Sequence, residues 1–419
     1  FRYYGVKCDK EVFNFEKELG EYLSTSSLSN KNQHNKVYVT AVNSGTGALE
    51  IALDVLGVGS GDEVIVPGFM WISSISAIIR SRAIPVLVDS DQTLGVDPED
   101  LKVKISERTK VIMVVPMLGG SSKVGEIMEV VRNVNNSRKK DNLSKIFVLE
   151  DCAQSLGAHA FGIPGSSQAS LPEGCYKLGT FGDIGTFSLQ LNKDITAGEG
   201  GMVVTRDKEL NDRVDALHNA GYIKKEKNNI NWYGDIPYGW GHGRRMSELQ
   251  GAVARVQLKK LDSILDNIRK NHSFFEEFFK KQGIKLRKRA YQNNPGDTGY
   301  YLCFHLPENL DDNTAISKGR EIAKDLKDKG FNVWFLHDFE VHIYYNIEPL
   351  VKKFPMNDGS PWEDPKNSFH TQYKYDRGAL PNLDHLLIRT IGLNMPSKMS
   401  DNTRDNMMND LLVTLNNLY

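Results

Sequence analysis

A lone lysine closes a short apolar segment near the middle of the chain, Gly185-Thr186-Phe187-Ser188-Leu189-Gln190-Leu191-Asn192-Lys193. A small-residue turn, Gly198-Glu199-Gly200-Gly201, follows and leads into the β-rich run Met202-Val203-Val204-Thr205. Burial lowers the pKa of an amine and makes it a nucleophile towards carbonyls. That is the chemistry of a lysine holding pyridoxal 5'-phosphate (PLP) as a Schiff base, and Lys193 is the candidate. The competing reading is a lysine that snorkels from a strand end to solvent.

Three other stretches carry chemistry. Asn43-Ser44-Gly45-Thr46-Gly47 sits at a strand-to-helix turn. Small residues there leave backbone N–H groups open at a helix N-terminus, which is a phosphate cradle, and Ser44 and Thr46 add hydroxyls. The same residues also make an ordinary N-cap. Ile146-Phe147-Val148-Leu149-Glu150-Asp151 reads as a buried strand with carboxylates at its C-terminal end, where open α/β sheets bind ligands. Asp151 is placed to hold a protonated ring nitrogen, or else to cap the segment that follows. Trp71, at another strand–helix junction, either stacks on a flat ring or belongs to the core.

The elements that position these residues alternate. Apolar runs at 37–42, 63–66, 85–89, 110–115 and 146–151 are separated by helix-like segments, the pattern of a parallel sheet covered on both faces. Helices are expected at 12–22 and 208–220, and a long amphipathic one from Ser247 to about Asn271, with Leu249, Val253, Val256 and Ile264 on one face. The stretch 162–179 reads as a surface excursion and 222–243 as a long aromatic, Gly-rich loop. From about Phe274 onward a smaller α+β domain is expected, with a strand at 300–306 and helices at 315–329 and 401–418. The expected domains are residues 1–265 and 266–419.

Lys and Arg number 52 against 53 Asp and Glu, a net charge of -1, which leaves no electrostatic footprint for nucleic acid. No apolar run is long enough to span a bilayer. Cys8, Cys152, Cys175 and Cys303 have neither metal-site spacing nor a disulfide framework, so reduced thiols in the cytoplasm and no bound metal are expected. The sequence opens at Phe1 and reads as a fragment of a longer chain.

Taken in order, the motifs resemble the DegT/StrS family of fold-type-I, PLP-dependent sugar aminotransferases. The residues that carry the likeness are Ser44-Gly45-Thr46-Gly47-Ala48, Gly61-Asp62-Glu63-Val64-Ile65-Val66-Pro67 and Trp71. Glu150-Asp151-Cys152-Ala153-Gln154, Phe181-Gly182-Asp183-Ile184-Gly185-Thr186-Phe187-Ser188 with Lys193, Gly198-Glu199-Gly200-Gly201 and Arg245-Met246-Ser247-Glu248-Leu249 complete the set. The resemblance covers nearly the whole chain. It implies a large domain with a mostly parallel seven-stranded sheet covered by helices, and a smaller C-terminal α+β domain. It implies that Lys193 is the Schiff-base lysine and proton carrier, that Asp151 pairs with the pyridinium nitrogen and that Gln154 meets the ring hydroxyl. Trp71 stacks on the ring, and Gly45, Thr46 and Ser188 hold the phosphate, with Ser44 in the same cradle. It further implies a homodimer with shared active sites, in which the loop at 222–245 reaches the neighbour's cofactor.

Two departures from the family pattern stand out. Gly243 occupies the place where the neighbouring subunit's Asn usually meets the phosphate, with His242 and Arg244 beside it, and Pro116 replaces a common His. The retained Lys193 argues against the family's dehydratase branch, which carries His there. Within the family, Phe1-Arg2-Tyr3, Val115–Lys123 and Phe331–Tyr345 resemble the 8-amino-3,8-dideoxy-manno-octulosonate transaminases of lipopolysaccharide sugar synthesis. That likeness implies amination of 8-oxo-3-deoxy-manno-octulosonate with an amino acid such as L-glutamate as donor. The substrate carboxylate then needs a cationic partner, and Arg2, Arg244, His337 and His342 are the candidates, each of which also reads as an ordinary structural residue. The alternatives are a nucleotide-linked keto-sugar as acceptor, a non-transaminating PLP enzyme, or a PLP-fold sensor.

Overall fold

Short aliphatic runs, each ending in a turn of small residues and followed by a helix, build the frame. A computed structural model describes residues 10–24, 36–165, 173–221, 239–291 and 296–418, and the backbone of 224–226 and 229–230. The elements of the first half are α1 (Lys10–Ser24), β1 (Tyr38–Val42), α2 (Gly45–Val55), β2 (Glu63–Pro67), α3 (Ile72–Arg80), β3 (Ile84–Val88) and α4 (Pro98–Lys104). They continue with β4 (Thr109–Val114), α5 (Val124–Lys140), β5 (Phe147–Asp151), β6 (His159–Gly162), β7 (Gly174–Lys177), β8 (Ile184–Ser188), β9 (Gly201–Thr205) and α6 (Lys208–Leu217). Seven strands form one sheet in the order β1-β9-β8-β5-β4-β2-β3. All of its pairings are parallel except those made by β9, which runs against both β8 and β1.

Central strands are buried on both faces, as a parallel sheet requires. Val64, Val66, Val111 and Met113 face a core that includes α2 and α3, while Ile65, Ile112 and Val114 face one that includes α1 and α5. The two faces meet at β5. Glu150 points away from the cavity described below and is completely buried. Its carboxylate accepts the N–H of Gly179, Phe181 and Gly182, each at 2.8 Å. Burial raises its pKa, and the three donors and the Arg206 charge oppose that rise. This carboxylate fixes the turn that launches β8. Gly179 takes φ +83 in that turn, and a Cβ there would press into the Phe187 ring at 2.4 Å.

The second half contains a hairpin of β10 (Lys224–Glu226) and β11 (Asn229–Ile230), then α7 (Glu248–Leu258), α8 (Leu261–Lys281), β12 (Tyr301–His305), α9 (Asp312–Asp328) and β13 (Val333–Phe335). After these come α10 (Glu348–Val351), α11 (Pro381–Leu387), β14 (Thr390–Asn394) and α12 (Asp401–Leu418). Strands β12, β14 and β13 make a separate antiparallel sheet, which shares a core with α8, α9 and α12. Along α8, Leu265 belongs to the α1-side core of the large sheet, and Ile268, one turn on, to the core of the small sheet.

The structure corrects three sequence expectations. The helix expected at 247–271 is two helices, broken at Lys259-Lys260. Of its apolar stripe, Leu249, Val253 and Val256 are 82%, 46% and 53% exposed, because α7 buries its Gly251, Ala254 and Leu258 face instead. The stretch at 162–179 is not simply a surface excursion, since β6 and β7 pair there and Tyr176 and Lys177 are buried. Residues 166–172 lie outside the described residues, as does most of 222–238.

The third correction concerns the segment 336–387, which leaves the small sheet and packs into the α2/α3 core of the large one. It covers the edge strand β3: Tyr375 donates to the Pro85 carbonyl at 2.7 Å, and Asn367 donates to the Arg82 carbonyl and accepts the Gly61 N–H. The Asp89 carboxylate takes the first N–H groups of α11, from Asn382 and Leu383. An uncovered edge strand is a template for aggregation, and this strap removes it.

Glu150→Gln places an amide donor against backbone donors in a fully buried site. It is expected to cost about 1–3 kcal/mol of stability, read as a lowered urea midpoint at pH 7; an unchanged midpoint contradicts the role given to this carboxylate.

Candidate active site

Sequence-distant strand ends converge on a cavity of about 540 Å³ lined by Ser44, Gly45, Thr46, Trp71, Asp151, Gln154, Ser188 and Lys193, among others. Every residue read from the sequence as holding the cofactor therefore lies on one surface. Of the three substrate candidates among the described residues, only His342 lines it. Arg2 lies outside the described residues. Arg244 pairs with the buried Glu50, which Arg80 also contacts at 3.0 Å. His337 is hydrogen-bonded to the Tyr345 hydroxyl at 3.2 Å.

The cradle follows from the start of α2. Ser44 caps the helix, its Oγ accepting the Gly47 N–H at 3.0 Å while its carbonyl takes the Ala48 N–H. The N–H groups of Gly45 and Thr46 are left at the open end with no intrachain partner among the described residues, where the helix dipole favours an anion. Gly45 must lack a side chain, because a Cβ would lie 2.9 Å from the Ser188 Cβ. The neighbouring Asn43 Oδ1 is buried without a partner. Thr46 Oγ1 donates to Ser73 Oγ at 2.9 Å.

Asp151 and Lys193 supply the other end. Asp151 is buried, and its carboxylate accepts from Ser74 Oγ at 2.8 Å and from the Ala153 N–H at 3.3 Å. It therefore also caps the turn that follows β5. Burial raises its pKa, against which the Ser74 bond, the Ala153 N–H and the Lys193 charge act. Burial lowers the pKa of the Lys193 amine, and the charges of Asp151 and Asp194 oppose this. Asp194 lines the same cavity and its carboxyl is raised to about 7, chiefly by burial. Gln154 Oε1 accepts the Leu118 N–H at 2.9 Å, which leaves its NH₂ group to face the cavity. Leu118 holds φ +59 in the turn after Pro116.

One wall is aromatic. His342 stacks flat on Phe339, with ring centroids 4.0 Å apart at 6°, and lies 4.7 Å from Trp71. The strap supplies this wall: Met70 N–H donates to the His342 carbonyl, and Phe69 bridges Ile343. Burial lowers the His342 pKa to about 4, with the Lys193 charge acting in the same direction and the Phe339 carbonyl opposing, so His342 is neutral at pH 7.

Sequence reasoning missed Ser74, Asp194 and the small-sheet side of the cavity, where Tyr300, Tyr301, Asn332, Trp334 and Asn394 lie. Ser74 and Asp194 were within reach, since they adjoin the Trp71 and Lys193 motifs. No spacing rule links residues around 300, 332 and 394 to Lys193. At the position of the first family departure, Gly243 takes φ +65 and a Cβ there would meet nothing within 4 Å.

Residues 7–354 match the DegT/DnrJ/EryC1/StrS aminotransferase family. The chain belongs to this family. GDP-perosamine synthase of Escherichia coli O157:H7 is 37% identical over 251 residues, 60% of this chain and 61% of that protein. The L-glutamine:2-deoxy-scyllo-inosose aminotransferase of Streptomyces kanamyceticus is 32% identical over 282 residues, 66% of this chain and 60% of that one. The chain spans about three fifths of the length of the curated relatives it matches. Among solved structures, Streptococcus pneumoniae Spr1654 in its PLP form superposes with a TM-score of 0.72 at 21% identity, covering 98% of this chain and 92% of that one. Sugar aminotransferase CalS13 from Micromonospora echinospora gives 0.70 at 21% identity, over 96% and 91%. At these identities the superpositions establish the shared fold. Aminotransferases of the DegT/DnrJ/EryC1/StrS family use PLP, and the cavity fits it: an open helix N-terminus against Ser188 for the phosphate, a buried carboxylate at the cavity wall for the ring nitrogen, and an amine of lowered pKa.

Because the folded His342 pKa lies near 4 against an ordinary value of 6.5, the folded protein binds fewer protons than the unfolded chain between those limits. Stability is present above pH 6.5 and is lost as pH falls towards 4. His342→Phe is expected to lessen the drop in urea midpoint between pH 7 and pH 5; a drop as large as in the unaltered protein contradicts a buried neutral imidazole.

Proposed function

We propose that this protein is a PLP-dependent aminotransferase that moves an amino group from an amino acid, L-glutamate in the first instance, to a keto or aldehyde carbon of a sugar. The observation that carries this reading is the meeting of Lys193, Asp151 and the α2 N-terminus in one cavity. When bound, PLP supplies an electron sink through which an amino group is exchanged for a carbonyl oxygen. The N–H groups of Gly45 and Thr46 and the Ser188 hydroxyl hold its phosphate. Asp151 keeps a proton on the ring nitrogen, its charge stabilised by the Ser74 and Ala153 donors. Gln154 donates its NH₂ to the ring oxygen. Burial lowers the Lys193 pKa and so favours the uncharged, nucleophilic amine, which, once freed, serves as a general base that takes a proton from the donor Cα and returns one to the acceptor carbon. Trp71 and His342 close the cavity on the aromatic side.

For the acceptor, a nucleotide-linked keto-sugar is favoured over 8-oxo-3-deoxy-manno-octulosonate. No arginine lines the cavity among the described residues, and His342 is neutral, so the described wall offers no partner for a sugar carboxylate beyond Lys193 itself. The name of the 37% identical relative points the same way. A homodimer accounts for the exposed Leu249, Val253 and Val256 stripe beside the 243–245 segment. Residues 1–265 then hold the cofactor and 266–419 supply the acceptor wall. Cys152 and Cys303, buried with no disulfide, accord with the cytoplasm.

The test is formation of 2-oxoglutarate from L-glutamate by the PLP-loaded protein, dependent on GDP-4-keto-6-deoxymannose. Turnover is expected with the acceptor present and to fall on the order of 10³-fold or more in Lys193→Ala. An absence of keto-acid with every donor and keto-sugar tried overturns the aminotransferase reading.

A further inference from the structure

The small-sheet side of the cavity carries a second set of groups that the cofactor does not use. Asn332 immediately precedes β13 and Trp334 is its middle residue, Asn394 ends β14, Glu340 comes from the strap just beyond, and all four line the cavity that contains Lys193. Trp334 is half-buried and held in place, its ring 4.9 Å from that of Phe339 and 5.3 Å from the Lys327 ammonium. The Asn394 amide bonds the Tyr300 and Tyr301 hydroxyls, and its N–H is tied to the Asn332 carbonyl at 2.9 Å.

Glu340 is the unusual member. Its backbone takes φ +45, a left-handed conformation that a residue with a Cβ adopts only at a cost. The carbonyl is pinned there by Asn346 Nδ2 at 3.0 Å and by the Ile343 N–H at 3.3 Å. The carboxylate itself has no hydrogen bond or ion pair among the described residues and stands exposed at the cavity wall. The strained turn thus presents an unpaired acceptor to whatever fills the space. Asp151, Asp194 and Glu199 also line the cavity, and Lys193 is its only lysine or arginine among the described residues.

We propose that Trp334, Glu340 and Asn332 form the subsite for the hydroxylated face of the acceptor sugar, and that this subsite selects an uncharged polyol and rejects an anionic substituent at that end. This rests on the sugar-aminotransferase reading and specifies which part of the substrate the small domain recognises. A pyranose ring has a C–H face that lies on an indole, whose π surface is negative. Its vicinal hydroxyls are donors for the two oxygens of a free carboxylate, in hydrogen bonds strengthened by the charge. Asn332 offers both a donor and an acceptor to a third hydroxyl. A carboxylate or phosphate in the same place meets Glu340 head-on, and among the described lining residues only Lys193, at the cofactor end, carries a lysine or arginine charge, while Lys327 packs on the Trp334 ring from outside the lining, so rejection comes from the repulsive element as much as from the attractive ones. The charged part of a nucleotide-linked acceptor then leaves the cavity away from this wall.

Binding can be read without turnover. The PLP-loaded protein is titrated with methyl α-D-mannopyranoside, methyl α-D-glucopyranoside and the corresponding methyl uronides, observed by saturation-transfer NMR. At least one neutral glycoside is expected to bind, with its uronide about tenfold weaker. Glu340→Gln is expected to narrow that difference to about twofold, and Trp334→Ala to abolish saturation of the ring protons, while Trp334→Phe restores part of it and so separates loss of the stacking surface from misfolding. In turnover, Glu340→Gln raises the keto-sugar KM about tenfold and changes kcat far less. Equal binding of neutral glycosides and uronides, no binding of any neutral glycoside, or signals unchanged in Glu340→Gln and Trp334→Ala overturn the subsite. Glycoside binding of the expected pattern with no transamination overturns the proposed activity and leaves the subsite standing.

Discussion

Two adjacent carboxylates at the end of β5 hold the structure to its chemistry. Strand alternation sends Glu150 and Asp151 to opposite sides. Glu150, wholly buried, spends its charge on three backbone N–H groups of the 179–182 turn, and that turn aims β8 and the segment beyond it. Asp151 faces the cavity with two donors behind it and no cation but the Lys193 amine beside it. Lys193 and Asp151 line the same cavity and feel each other's charge, and the 179–182 turn that Glu150 holds lies in the chain between them. The cost of burying Glu150 is offset when the turn is folded, and that of burying Asp151 in part by the Ser74 and Ala153 donors.

From this pair outward the site is built by strand ends. The α2 N-terminus follows β1, Trp71 follows β2, Pro116 follows β4, and Ser188 ends β8. All lie at the C-terminal edge of the parallel part of the sheet, where chain direction leaves helix N-termini pointing at an anion. The strap at 336–387 completes the enclosure from the other side, covering β3 with Tyr375 and Asn367 and turning Phe339, Glu340 and His342 towards Lys193.

That the residues around Lys193 share one cavity was legible in the sequence because each part is a local signal: small residues at a strand–helix junction, an acid at a strand end, a lysine after an apolar run. The small-sheet side of the cavity was not. Tyr300, Asn332, Trp334 and Asn394 are far apart in sequence and meet only because β12, β14 and β13 pair in that order. Short 3₁₀ turns make up much of the strap, and they leave no hydrophobic period to read. Periodicity identified the apolar stripe of Leu249, Val253 and Val256 but could not say what covers it, and among the described residues it stays largely exposed. The helix break at Lys259-Lys260 was invisible for a related reason, since neither residue is a helix breaker. Arg244 and His337 were plausible anion partners by residue type, and the structure gives each a partner elsewhere.

The most direct measurement is to load the purified protein with PLP, reduce it with borohydride, digest it and map the pyridoxyl label by mass spectrometry. A label confined to the peptide containing Lys193, and absent from the same protein carrying Lys193→Ala, is the predicted result. A label on another lysine, or none at all on protein that has bound PLP, contradicts the account.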